Sequence, residues 1–187
     1  MNERTLQAEE WVNKYADMLY AYTVVRVTDT NLAEDIVQET FLSAWKGRAT
    51  YKGDASEKNW LFTICKNKII DHFRKKSSSL VSYGELDTNS GVFDEQEHWT
   101  SETVPKDWGI ETMQPIEKKE FYNILTMCKQ KLQELQQQVF VMKYMEDIES
   151  DEICKVLNIT PSNYWVLIHR AKVQLRKCIE LNWMKIA

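Results

Sequence analysis

Lysine, arginine and asparagine recur at helical spacing in two parts of this chain, in patterns that suit gripping nucleic acid better than covalent chemistry. The clearer of the two is 147–178. Ile153, Val156 and Leu157 outline a short helix over about Ser150–Leu157, and Asn158-Ile159 reads as a turn. Thr160 followed by Pro161 is a strong helix start, a hydroxyl cap and then a proline whose missing N–H is harmless in the first turn. In the second helix Tyr164, Ile168, Ala171 and Leu175 share one face and are expected to be core. Ser162, Val166, His169, Arg170, Val173, Arg176 and Lys177 face away. A helix of this kind fits a DNA major groove, with its first turns at base edges and later cations at phosphates. Glu146, Asp147, Glu149, Asp151 and Glu152 make the first helix acidic, so it is not expected to lie along the DNA backbone. A plain helical hairpin is the bland alternative.

The second basic part is 51–76. Lys52, Gly53, Asp54, Ala55 and Ser56 read as a loop, with Asp54 or Ser56 able to cap the helix that follows. That helix is expected to bury Trp60, Leu61 and Ile64, while Lys58, Lys66, Lys68, Arg74, Lys75 and Lys76 supply charge. Asn59 and Asn67 add side chains able to hydrogen-bond base edges. A polar loop beside aromatics and lysines suits extruded single-stranded bases, which stack or enter pockets while cations follow the phosphates. A basic surface helix with an ordinary core tryptophan has the same composition.

Between the N-terminus and this region, 31–47 forms a helix candidate opened by Thr30 or Asn31 and closed by Gly47. Ala33, Ile36, Val37, Thr40, Phe41 and Ala44 gather on one face as core. Asp35, Gln38, Glu39, Leu42 and Lys46 gather opposite, a polar stripe with an exposed leucine in its middle. A solvated face is one reading. A docking surface for an arginine-rich partner helix is the other, because carboxylates around one apolar anchor suit such a partner.

The elements that must carry these residues are all helical. Apolar residues repeat at three and four, glycine and proline are scarce, and no long alternation occurs, so an all-α fold is expected. The 187 residues allow two small domains, each with its own core. We expect 1–79 as the first and 116–187, holding the helix-turn-helix, as the second. Residues 80–115 form an acidic linker broken by Gly84, Gly91, Pro105, Gly109 and Pro115, and its Phe93, Trp99 and Trp108 are expected either to dock on the domains or to lie along a partner. The net charge of −4 hides a division. Residues 46–80 hold nine Lys/Arg against three Asp/Glu, and 162–187 hold five against one. Residues 81–120 reverse the sign with three against ten.

Cys65, Cys128, Cys154 and Cys178 lie far apart among apolar residues and are expected as buried thiols. With the three histidines also scattered, no metal and no cofactor is expected. The charged N-terminus lacks the pattern of a secretory signal, and no run of eighteen apolar residues would insert in a membrane, so a cytoplasmic location is expected.

Taken together these segments resemble the extracytoplasmic-function (ECF) group of sigma factors. AEDIVQETFLSAWK at 33–46 looks like that family's polymerase-clamp helix. NWLFTICKNKIIDHFRKK at 59–76 looks like its minus-ten helix, and 139–178 is similar to its minus-thirty-five reader. The resemblance implies a non-enzymatic protein with core RNA polymerase, promoter DNA and an anti-sigma factor as partners. It implies polymerase contacts from Asp35, Gln38, Glu39 and Leu42. It implies a minus-ten site of Lys52, Gly53, Asp54, Ala55, Ser56, Lys58, Asn59, Asn67 and Arg74, with Trp60 as packing framework. It implies minus-thirty-five contacts from Ser162, Asn163, Trp165, Val166, His169, Arg170 and Lys172. Trp165 and Leu167 depart from the family, which often has Lys or Arg there. A stand-alone helix-turn-helix regulator would explain only 147–178, and a metal-dependent nuclease using the linker acids would lack a scaffold for two metals.

Overall fold

Apolar residues three and four apart build seven α-helices among the described residues, and all regular structure there is helical, as the spacing predicts. A computed structural model of the chain describes residues 6–27, 29–77 and 114–183. The chain divides into two units, Met1–Ser79 and Leu80–Ala187. The acidic stretch 80–115, with Phe93, Trp99 and Trp108, lies outside the described residues except for Gln114 and Pro115.

The first unit is a bundle of α1 (Trp11–Val27), α2 (Thr30–Gly47) and α3 (Glu57–Ser77), each packed on the other two. Leu19, Ala33, Ala44, Leu61, Cys65 and Ile69 are sealed from solvent in its core. Thr23 and Thr40 are buried as well, and each hydroxyl donates to a carbonyl four residues back, Leu19 O and Ile36 O, both at 2.7 Å. Burying them therefore leaves no hydroxyl unsatisfied.

The cap of α2 is neither Thr30 nor Asn31. Asp29 takes that place, its Oδ1 accepting from Asn31 N at 2.9 Å and Leu32 N at 3.2 Å. Its extended backbone (φ −98°, ψ 122°) aims the carboxylate back at the open amides, whereas Thr30 is already helical. Asp29→Ala is expected to cost about 1 kcal/mol of stability, measured by urea unfolding. A cost indistinguishable from zero would show that these two bonds are replaced by water without loss.

In the second unit α4 (Pro115–Gln130), α5 (Glu134–Tyr144) and α6 (Ser150–Leu157) all pack on α7 (Pro161–Trp183). Helix α4 thus opens on Pro115, the last residue we assign to the linker from sequence. Reciprocal side-chain caps start two of these helices, Gln114 with Glu117 and Gln133 with Gln136. Phe121, Cys128, Leu132, Ala171, Leu175 and Ile179 form one buried cluster.

That cluster corrects the expectation of four thiols. Cys128 and Cys178 are joined in a disulfide, because the packing of α4 on α7 brings residues 50 apart in sequence to a Cα separation of 5.7 Å. Cys65 and Cys154 stay outside any disulfide, the first buried and the second half-buried. Among the described residues no helix is long and apolar enough to cross a membrane. Nor does any group of three His, Cys, Asp or Glu there form a set that could hold a metal ion.

Candidate nucleic-acid interface

Helix α2 turns its two faces as its period requires. Ala33, Ile36, Val37, Thr40 and Ala44 are buried, and Phe41 is half-buried at the edge of that face. Asp35, Gln38, Glu39, Leu42 and Lys46 are all exposed, with Leu42 at 53%. The stripe holds more than sequence reasoning found. Trp45 is 45% exposed, and the Arg48 guanidinium lies 4.1 Å from the centre of its ring. Trp45 stands seven residues after Gln38 and three after Leu42, so the helical period that marks the stripe could have found it. Glu39 also meets Lys68 of α3 at 3.4 Å, so one cation counted toward nucleic acid faces a carboxylate of its own bundle.

The loop 52–56 is built from below. Gly53 takes a left-handed backbone (φ 78°) that lets the chain turn toward α3, and Ser56 caps that helix by accepting from Asn59 N at 3.2 Å. Asp54 is not needed as a cap. The Tyr51 hydroxyl donates to the Ala55 carbonyl, and the Tyr51 ring rests 5.1 Å from the Trp60 ring. Trp60 in turn meets Trp11 edge-on at 5.8 Å. Trp60 and Ile64 are half-buried rather than buried, because both lie where α3 meets this loop or the bundle's rim.

Glu57, in the first turn of α3, gathers three donors. It accepts from Gln7 N at 2.5 Å, Trp11 Nε1 at 3.0 Å and the Tyr15 hydroxyl at 3.5 Å. A carboxylate at a helix N-terminus is favoured by the helix dipole, which adds to those bonds. Sequence reasoning missed Glu57, since its partners lie more than forty residues away.

Above this floor Lys52, Asp54, Ala55, Lys58 and Asn59 are exposed, and Gly53 and Ser56 are half-buried. Along α3 the exposed line continues through Asn59, Thr63, Asn67 and Arg74, one helical face. Arg74 is paired with Asp71 at 2.6 Å. On the flank toward α1 stands a row not singled out from sequence. Phe62 meets Tyr22 edge-on at 5.2 Å, with Lys58 Nζ 5.9 Å from the Phe62 ring and the Arg26 guanidinium 3.5 Å from the Tyr22 ring.

The helix-turn-helix follows the sequence reading closely. Helix α6 runs Ser150–Leu157 and ends on Asn158 in the left-handed region (φ 52°), with Ile159 N donating to Cys154 O at 3.0 Å. The Thr160 hydroxyl accepts from Asn163 N at 3.2 Å, and Pro161 opens α7. Tyr164, Ile168, Ala171 and Leu175 are buried as expected. Ser162 is exposed, and Asn163, Val166 and Arg170 are half-buried on the same outward face.

Trp165, His169 and Lys172 form the flank of that face. Trp165 is 40% exposed, its ring 6.1 Å from that of His169, and Lys172 Nζ lies 5.8 Å from the Tyr144 ring on α5. Leu167 is 3% exposed and belongs to the core, so its departure from the family pattern is a matter of packing. Asp151 and Glu152 are exposed on α6, which keeps that helix acidic outside.

Comparison with known proteins agrees with both units. Residues 11–79 match the family model described as Sigma-70 region 2, and residues 122–175 match that of Sigma-70, region 4. The chain is 36% identical to a Haemophilus influenzae protein named "Probable RNA polymerase sigma factor", over 86% of this chain and 84% of that one. It is 25% identical to RNA polymerase sigma factor YlaC of Bacillus subtilis, over 90% of each chain. With ECF RNA polymerase sigma factor SigX of the same organism it shares 28% identity, over 89% of this chain and 80% of the relative.

Proposed function

The chain belongs to the sigma-70 family, within its extracytoplasmic-function group, and directs promoter-specific initiation of transcription; we propose how its residues divide that work. Its partners are core RNA polymerase and promoter DNA. The exposed ridge of Asp35, Gln38, Glu39 and Leu42 attaches it to the polymerase clamp, and Trp45 with Arg48 extends that ridge. The observation that carries this is an apolar anchor left in solvent, with Gln38 and Glu39 one turn before it and Trp45 and Lys46 one turn after, on a helix whose opposite face packs into the core. A solvated face has no use for an exposed Leu42 beside an exposed Trp45.

The loop from Lys52 to Ser56, with Lys58, Asn59, Asn67 and Arg74, takes an unpaired base of the minus-ten element and follows the strand's phosphates. The half-buried Tyr51 and Trp60 rings beside it support this reading, since an unpaired base can stack on aromatic faces. Helix α7 reads the minus-thirty-five element. Ser162, Asn163 and Val166 lie toward base edges, Arg170 toward phosphates, and Trp165, His169 and Lys172 along one groove wall. We assign this work to the cytoplasm, where polymerase and promoter meet.

The family is not generally enzymatic, and this reading asks for binding alone. The linker carboxylates that a nuclease would use lie outside the described residues. Against a stand-alone regulator, a gel shift on duplex promoter DNA is expected to show weak binding until core polymerase is added. Strong unaided binding would favour the regulator. Transcription in vitro with core polymerase over a genomic library tests the whole assignment, and a purified chain that starts no transcript there would overturn it.

Arg170→Ala is expected to weaken binding alike across promoter sequences and to lower the salt slope by about one counterion, read from affinities over a salt series. A loss confined to one base position would instead make Arg170 a base reader.

A further inference from the structure

We propose that Cys128 and Cys178 form a reversible thiol–disulfide couple in which Cys178 is the sulfur that meets small oxidants and reductants. This rests on the reading above, which sets the chain to work in a compartment whose thiol pool keeps most cysteines reduced. There a bond between two helices is made and broken rather than permanent.

The two residues differ in exposure. Cys128 is 1% exposed inside the cluster of Phe121, Leu132 and Ile179, whereas Cys178 is half-buried on α7. Asn182 turns its amide to Cys178, with Nδ2 donating to the Cys178 carbonyl at 2.6 Å and lying 3.6 Å from its Sγ. The remaining cysteines are worse placed. Cys65 is fully buried with its Sγ 3.2 Å from the Thr23 hydroxyl. Burial pushes the Cys154 thiol up, and the Asp151 carboxylate adds to it.

With a hydroperoxide the chemistry balances. The Cys178 thiolate attacks a peroxide oxygen, the O–O bond breaks, and water or an alcohol leaves after protonation, giving a sulfenic acid. The Cys128 thiolate then attacks the Cys178 sulfur, the S–O bond breaks, and a second water leaves. Two electrons pass from the thiols to the peroxide. In reverse, a low-molecular-weight thiol attacks the Cys178 sulfur and expels Cys128, and a second thiol completes reduction. The bond fastens the C-terminal end of α4 to the helix that carries the DNA-reading face, so its state sets how firmly that helix is held.

Peptide mapping of the full chain by mass spectrometry tests this without polymerase. After hydrogen peroxide the 128–178 linkage is expected, and dithiothreitol is expected to remove it. A linkage that never forms, or that resists dithiothreitol in the folded chain, overturns the couple. With a sulfenic-acid probe, Cys128→Ser is expected to label at Cys178 at least about tenfold faster than Cys178→Ser labels at Cys128, following access to thiolate. Equal rates, or faster labelling at Cys65 or Cys154, overturn the assignment of Cys178. Circular dichroism checks that both variants are folded, and the wild-type mapping stands if either is not. A chain that shows the couple yet starts no transcript would overturn the functional reading alone.

Discussion

Leu42→Arg is expected to lower affinity for core RNA polymerase by at least about thirtyfold, the equivalent of about 2 kcal/mol at a central anchor. The side chain is 53% exposed, so the bundle itself loses almost nothing, and stability should stay within about 0.5 kcal/mol of the parent. The loss comes from the interface. An arginine-rich partner helix that accepts Asp35 and Glu39 meets a like charge at the centre of the patch, where a leucine had been desolvated. Leu42→Ala removes the anchor without the repulsion and should fall between parent and Leu42→Arg. Co-purification with tagged core enzyme measures the effect, and normal recovery of Leu42→Arg would show that this ridge is not the attachment surface.

The largest expected loss of stability lies at the other end of the same unit. Trp11→Ala should cost about 3–5 kcal/mol, the range for deleting a buried aromatic ring. Trp11 is 2% exposed, meets Trp60 at its edge and donates its indole N–H to Glu57. Alanine leaves a cavity and also removes a donor from a carboxylate. Trp11→Phe separates the two, keeping most of the volume while taking away the N–H. It should cost about 1–3 kcal/mol, toward the low end because Gln7 N and the Tyr15 hydroxyl still reach Glu57. Urea unfolding measures both variants. An alanine variant within 1 kcal/mol of the parent would mean that water or neighbouring rings fill the space.

What the residues foretold and what they concealed divide along a physical line. Helix existence and core faces were legible wherever one side of a helix meets one neighbour. The α2 stripe and the start of α7 at Thr160-Pro161 came directly from period and capping chemistry. The α2 cap did not, because Asp29, Thr30 and Asn31 are all competent caps and only the backbone angles choose among them. Leu167 was out of reach for a different reason. Helix α7 is packed on by α4, α5 and α6, so its buried arc is wider than a single stripe predicts. Donors converging on Glu57 and the 128–178 bond depend on residues far apart in sequence. No local pattern records such meetings.

The floor beneath the loop at 52–56 has a kinetic meaning. Ordering one residue costs roughly 1–2 kcal/mol of backbone entropy, and a floppy five-residue segment would meet that cost at each encounter with DNA. Here Tyr51 and Ser56 fix both ends of the loop in the free protein, and Gly53 supplies its bend. In the function we propose for this loop, that cost is met during folding, and an unpaired base would meet a loop already ordered.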